Sequence, residues 1–248
     1  MIDDPGFWAL AVPAVAFTGI SKGGTGGGAA VATPLMAIVI PPAVAAAVML
    51  PVLCLMDLAG IRAYLGKWDR RAMRILVSAG LAGCVVGALT FRFMSEHWIR
   101  ILVGAVALAF LAWTLYPRRQ FMRKPGTAAG LFWGTLSGFT SFITHAGSPP
   151  AMVWLIPQRL EKEAFVATSL MFFAALNYAK ILPYVWLGLF DPSVLATSLV
   201  LVPVGIGGIY VGQWLQRRID ARWFYRIIYV LLFVSGSRLL YDGVTGLN

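Results

Sequence analysis

The chain has 248 residues, of which 59% are hydrophobic and only 12% are charged, and its formal net charge is +10. A soluble domain of this length needs more charged residues to cover its surface, so a soluble helical bundle is excluded. The apolar residues form long runs without the alternation of outer-membrane barrel strands, which predicts an all-α polytopic membrane protein. The basic residues lie in short clusters between these runs, so the positive charge indicates membrane anchoring rather than nucleic-acid binding.

Ten apolar segments follow one another along the chain. They cover residues 6–20, 28–41, 43–61, 75–94, 98–116, 128–145, 147–157, 164–183, 193–212 and 224–242. Most of the Lys and Arg residues lie in four of the connections, 62–74, 117–127, 158–163 and 213–226. The positive-inside rule places these connections in the cytoplasm, so we expect a multi-pass protein of a bacterial-type inner membrane with both termini outside.

The two halves of this arrangement have opposite predicted topology, because the middle connection is cytoplasmic and five segments lie on either side of it. Glycines recur in the same order in both halves: Gly19 and Gly28 return 119 residues later as Gly138 and Gly147, and Gly83 returns 125 residues later as Gly208. We therefore expect an N-terminal membrane repeat over 1–117, a cytoplasmic linker over 118–127 and an inverted C-terminal repeat over 128–248.

Segments 28–41 and 147–157 are too short to cross a membrane. A helix rises about 1.5 Å per residue and the hydrocarbon core is about 30 Å thick. We interpret 6–41 and 128–157 as paired short helices, re-entrant or spanning, whose interrupted tips approach the membrane midplane from opposite sides. Interrupted segments in corresponding halves are typical of a transporter's binding site.

Both tips offer groups that bind anions. Glycines let the backbone approach a ligand, and helix N-termini present unpaired N–H groups with a partial positive charge. Lys22 adds a cation, Thr18, Thr140 and Ser141 add hydroxyls, and His145 could donate or carry a proton. The candidate substrate-binding residues are Ser21, Lys22, Gly24, Thr25, Gly26, Gly27, Thr144, His145, Gly147, Ser148 and Asn177.

Each of these residues also has a structural interpretation. The glycines could only permit close helix packing. Lys22 could extend to the cytoplasmic interface, and His145 could be a core histidine bonded to a carbonyl. Asp57 lies in an apolar segment, so it needs a partner, either Lys22 or Lys180, or else a proton. Asp57 and His145 are therefore the candidates for proton coupling, and Lys180 is a candidate charge partner.

The glycine-rich stretch Gly19–Gly28, followed by Ala32-Thr33-Pro34-Leu35, resembles the N-terminal signature of the sulfite exporter TauE/SafE family. The second-half stretch Gly138–Pro150, continued by Ala167-Thr168-Ser169 and Asn177, is similar to that family's repeated pattern. The resemblance covers essentially the whole chain. It implies a transporter of sulfite, organosulfonates or other small sulfur-containing anions.

These observations together predict a secondary transporter, an exporter, that moves a small sulfur-containing oxyanion such as sulfite or an organosulfonate by alternating access. An anion channel of the same architecture would use the same groups. An intramembrane enzyme would need a nucleophile–base or metal constellation, which two histidines do not supply, so enzymatic activity is not expected. The expected partners are the anion and the lipid bilayer, without nucleic acid or cofactor, and a homodimer is left open.

Overall fold

The computed structural model describes residues 2–24, 31–115, 124–215 and 221–246. These residues form ten α-helices, with a 3₁₀ turn, Ile156–Gln158, after the seventh, and the described part contains no strand. The helices are α1 Pro5–Gly24, α2 Ala32–Met36, α3 Pro42–Tyr64, α4 Arg70–Phe93, α5 Glu96–Leu115, α6 Thr127–Thr144, α7 Ser148–Leu155, α8 Lys162–Trp186, α9 Pro192–Leu215 and α10 Ala221–Thr245.

Five of the helices in the described ranges are long and apolar enough to cross a membrane. Their spans are Pro42–Ile61, Arg70–Phe93, Glu96–Leu115, Lys162–Trp186 and Pro192–Trp214. Each of the ten predicted segments contains one helix, which confirms the predicted all-α polytopic class.

Local sequence signals mark where several helices begin. The Asp69 carboxylate accepts a hydrogen bond from the backbone N–H of Ala72 at 2.7 Å and so caps α4. Asp191 caps α9 in the same way, because its carboxylate accepts from the Val194 N–H at 2.9 Å. Pro42 opens α3, where its missing N–H costs nothing.

The first helix pair differs from its predicted boundaries. Helix α1 continues to Gly24, so Ser21 and Lys22 lie in its last helical turns rather than in a loop. The reason is packing against α9, since a side chain at Gly23 would overlap the carbonyl oxygen of Ile209. Glycine permits this approach, and the close contact stabilises the end of α1.

Helix α2 is shorter than its predicted segment 28–41. It covers only Ala32–Met36, a length of about 8 Å. Residues 37–40 form turns and a bend, because Pro41 disfavours a helical conformation of the residue before it.

The long helices pack mainly in three pairs, α1 with α9, α4 with α6 and α5 with α10. Helix α3 lies in the centre, against α8 and α9, and its residues 45–50 are almost completely buried. The α4–α6 crossing is tight, since a Cβ at Gly138 would overlap the Gly80 carbonyl oxygen. This arrangement brings the polar residues of α1, α3, α6 and α8 together.

Candidate functional site

Six polar residues meet among α1, α3, α6 and α8, and we call them the central cluster. They are Lys22, Asp57, Ser141, His145, Asn177 and Lys180. Apart from Lys22, these side chains are buried, and the exposed fraction of Lys180 is 0%. Asp57 and Lys180 also lie within helices that can cross a membrane. Buried charges of this kind need partners.

Asp57 uses both carboxylate oxygens within the cluster. Its Oδ1 forms an ion pair with the Lys22 ammonium group. Its Oδ2 accepts a hydrogen bond of 2.6 Å from the Asn177 side-chain amide. The negative charge of Asp57 is therefore matched by one cation, and its second oxygen has a neutral donor.

Lys180 has neutral neighbours. Its Nζ lies 3.0 Å from the backbone oxygen of Ser141, 3.1 Å from Ser141 Oγ and 2.9 Å from His145 Nδ1. Three acceptors thus receive the three N–H bonds of the ammonium group. Within the described ranges, no carboxylate lies at ion-pair distance from Lys180. The ammonium group of Lys180 is hydrogen-bonded, but no carboxylate in the described ranges neutralises its charge.

His145 connects Lys180 to the central helix α3. Its Nε2 lies 2.9 Å from the carbonyl oxygen of Ala46. A carbonyl only accepts, so Nε2 carries the ring hydrogen and Nδ1 is left to accept from Lys180. With Lys180 protonated and donating to Nδ1, this pattern leaves His145 neutral.

The backbone explains how His145 reaches this position. It is the residue at which α6 ends, with φ of 57° in the left-handed region, and its N–H donates to the Ser141 carbonyl at 3.1 Å. This single turn aims Ser141 and His145 at the same ammonium group. On α8, Asn177 and Lys180 are three residues apart and share a helix face.

Several predicted hydroxyl donors are already used inside their own helices. Thr18 donates to Ala14 O, and Thr144 donates to Thr140 O. Thr144 also accepts from the N–H of Ala146. Threonine in a helix readily bonds the carbonyl four residues earlier. In this structure the Thr144 hydroxyl bonds within its own helix end, and its role in substrate binding stays a prediction.

The remaining predicted site residues lie around the cluster or outside the described ranges. Thr25, Gly26 and Gly27 are outside the described residues, and Gly24 ends α1. Ser21 is fully buried in α1. Gly147 precedes α7 and its carbonyl accepts from Ser137 Oγ at 2.6 Å, and Ser148 is the first residue of α7.

Of the two lysines considered as partners of Asp57, the structure selects Lys22. Lys22, the expected anion-binding cation, is neutralised by Asp57. Lys180, a candidate partner of Asp57, bonds Ser141 and His145 instead. Sequence reasoning missed this contact, although Lys180 was visible as an intramembrane cation.

The described residues include no group of three or more His, Cys, Asp or Glu side chains that could hold a metal ion. The side chains of the central cluster can form hydrogen bonds, compensate charge and transfer protons.

The model of the family described as "Sulfite exporter TauE/SafE" matches residues 11–239 of the chain, which is nearly its whole length. No curated protein and no solved structure matches the chain. The matched range contains every residue of the central cluster.

Proposed function

Because the chain belongs to the sulfite exporter TauE/SafE family of membrane transporters, we propose that it is a secondary transporter that exports a small sulfur-containing oxyanion by alternating access. Sulfite and organosulfonates are the proposed substrates, and the membrane is the bacterial-type inner membrane with both termini outside. The central cluster is the proposed binding site.

One observation carries this proposal: Lys180 is a fully buried cation without a carboxylate partner in the described ranges. A buried charge that lacks a counterion is costly, and ionisable groups inside membrane helices usually mark a substrate pathway. An anion would supply the missing charge. A sulfonate or sulfite oxygen can replace Ser141 Oγ as an acceptor of the Lys180 N–H.

The helix packing supports the proposed inverted repeat. In the proposed repeat, α6 corresponds to α1 and α4 corresponds to α9. The packing of α4 against α6 is therefore the counterpart of the packing of α1 against α9. At the first crossing Gly19 meets Gly205 and Gly208, and at the second Gly138 meets Gly80. The glycines correspond through the offsets of 119 and 125 residues found in the sequence. Two equivalent crossings are what alternating access between two repeats requires.

The proposal is tested by transport into proteoliposomes that contain the purified protein. We expect accumulation of labelled sulfite or taurine against its concentration when the vesicles hold an exchangeable anion. Lys180→Gln removes the charge but keeps a polar side chain that is one atom shorter, and should reduce the rate at least tenfold. Lys67→Gln is the matched control, since Lys67 is an exposed surface lysine, and it should transport normally.

Two results would contradict this function. Downhill flux without accumulation, at rates far above about 10³ per second, would indicate a channel. Transport by Lys180→Gln at the rate of the unmodified protein would show that Lys180 does not bind the substrate.

A further inference from the structure

The net charge of the central cluster limits the anion it can hold. Lys22 and Asp57 neutralise each other, and His145 is neutral because its Nε2–H donates to Ala46 O and its Nδ1 accepts from Lys180. One positive charge, that of Lys180, is left. Residues 25–30, which are not described, read Thr-Gly-Gly-Gly-Ala-Ala and add no charge.

We propose that the cluster binds a singly charged anion as it stands, and binds a doubly charged anion only together with one proton, which His145 Nδ1 holds. This inference rests on the proposed function and specifies the charge of its substrate. The proton comes from water. When it binds Nδ1, the Lys180 N–H that pointed at this nitrogen turns to the anion.

His145 is the group that geometry makes available for this proton. Without an anion, a proton on Nδ1 would face the Lys180 ammonium group at 2.9 Å, and the two positive charges would repel strongly. A dianion that contacts both groups offsets that repulsion. Asp57 is not available, because Lys22 and Asn177 already donate to its two oxygens.

The other titratable groups near His145 and Lys180 do not replace His145 as the site of the proton. The groups that face these two residues are Lys22 from α1, Asp57 and Cys54 from α3, Cys84 from α4 and Tyr184 from α8. Helices α6 and α7 contain no charged residue or histidine. The Tyr184 hydroxyl donates to Phe142 O at 2.7 Å, and Cys84 lies 3.5 Å from Gly138 O. The reference pKa values of thiols and phenols, about 8.5 and about 10, lie above neutral pH.

The test compares two anions of nearly equal size, methanesulfonate with one charge and sulfate with two. Neither anion titrates between mildly acidic and neutral pH, so any pH dependence of binding in that range comes from the protein. We expect the Kd of sulfate to fall by about tenfold for each unit that the pH is lowered. The Kd of methanesulfonate should stay constant within about twofold over the same range.

His145→Asn removes the titrating nitrogen, and asparagine tolerates the left-handed backbone of this position. In this variant the pH dependence of sulfate binding should disappear. His97→Asn is the matched control, because His97 is the only other histidine of the chain and lies at the start of α5. It should keep the wild-type slope for both anions.

The comparison in the unmodified protein decides the question even where a variant folds poorly. Equal pH slopes for the two anions would overturn the inference while leaving anion transport in place. A sulfate slope that survives in His145→Asn would also overturn it. If neither anion bound, the proposed function would fail, and this inference with it.

Discussion

Replacing Asp57 by Asn tests whether the Lys22–Asp57 pair is a coupled, buried interaction. Asn has the same shape and can still bond Asn177, so the change removes mainly the charge that faces Lys22. At a charge separation of about 4 Å and an effective dielectric constant of about 20, the attraction is about 4 kcal/mol. Breaking a buried pair by removing one partner costs about 3–5 kcal/mol.

The two partners are buried to different extents. The exposed fractions of the side chains are 21% for Lys22 and 3% for Asp57. Water therefore compensates part of the lysine charge, and we expect Asp57→Asn to cost about 3 kcal/mol of unfolding free energy. Lys22→Met leaves the more deeply buried carboxylate alone and should cost about 4 kcal/mol.

The double variant Lys22→Met/Asp57→Asn removes both charges and leaves none uncompensated. Its loss should be smaller than the sum of the single losses by about 3 kcal/mol, which is the coupling energy of the pair. The measurement is equilibrium unfolding by SDS in mixed micelles. Lys67 and Glu163 form the control pair, and because they are 49% and 63% exposed their cycle should show no measurable coupling. A Lys22–Asp57 coupling below about 1 kcal/mol would refute the reasoning.

Two further predictions concern helix packing and helix capping. Gly208→Ala places a Cβ 2.7 Å from Ala16 O and should cost about 1–3 kcal/mol of unfolding free energy in the same assay. Gly207→Ala is the control, because its Cβ meets nothing within 4 Å, and it should be neutral or stabilising. Equal losses for the two variants would contradict the close α1–α9 crossing. The hydrogen bond from Val194 N–H lowers the pKa of Asp191 below its usual 3.8. The cap therefore stabilises the fold fully at pH values above 3.8, and this stabilisation is lost as the pH falls through the lowered pKa of the folded state. Thermal unfolding should therefore show Asp191→Ala destabilised at neutral pH and indistinguishable from the unmodified protein in strong acid, and a constant difference would contradict the cap.

The membrane helices could be predicted from sequence because their signals are local. Apolar runs gave all ten elements, and prolines such as Pro42 and Pro192 marked helix starts. One exception, the end of α1, follows from a contact between helices. The extension of α1 to Gly24 depends on the α9 backbone at Ile209, which no pattern within α1 records.

The polar residues of the site could also be predicted, but their pairing could only be narrowed to alternatives. Lys22, Asp57, His145, Asn177 and Lys180 were all recognisable as polar groups in apolar segments. Which of them meet depends on how far each helix is rotated about its axis. One residue turns a helix by about 100°, so small differences in rotation decide whether Lys180 faces Asp57 or His145. Sequence reasoning therefore left Lys22 and Lys180 as alternative partners of Asp57, and the structure pairs Asp57 with Lys22.

The hydrogen bond between Asp57 and Asn177 has a consequence for how such a chain can evolve. The two residues lie 120 positions apart, close to the spacing of the recurring glycines, yet they touch each other. If the proposed repeat arose by duplication of a gene fragment, Asp57 and Asn177 would occupy equivalent places, and a residue there would meet its own copy. Two aspartates there would set carboxylates 2.6 Å apart, and one would have to stay protonated. Divergence of one copy to asparagine removes that conflict, so this contact favours a chain whose two halves are no longer identical.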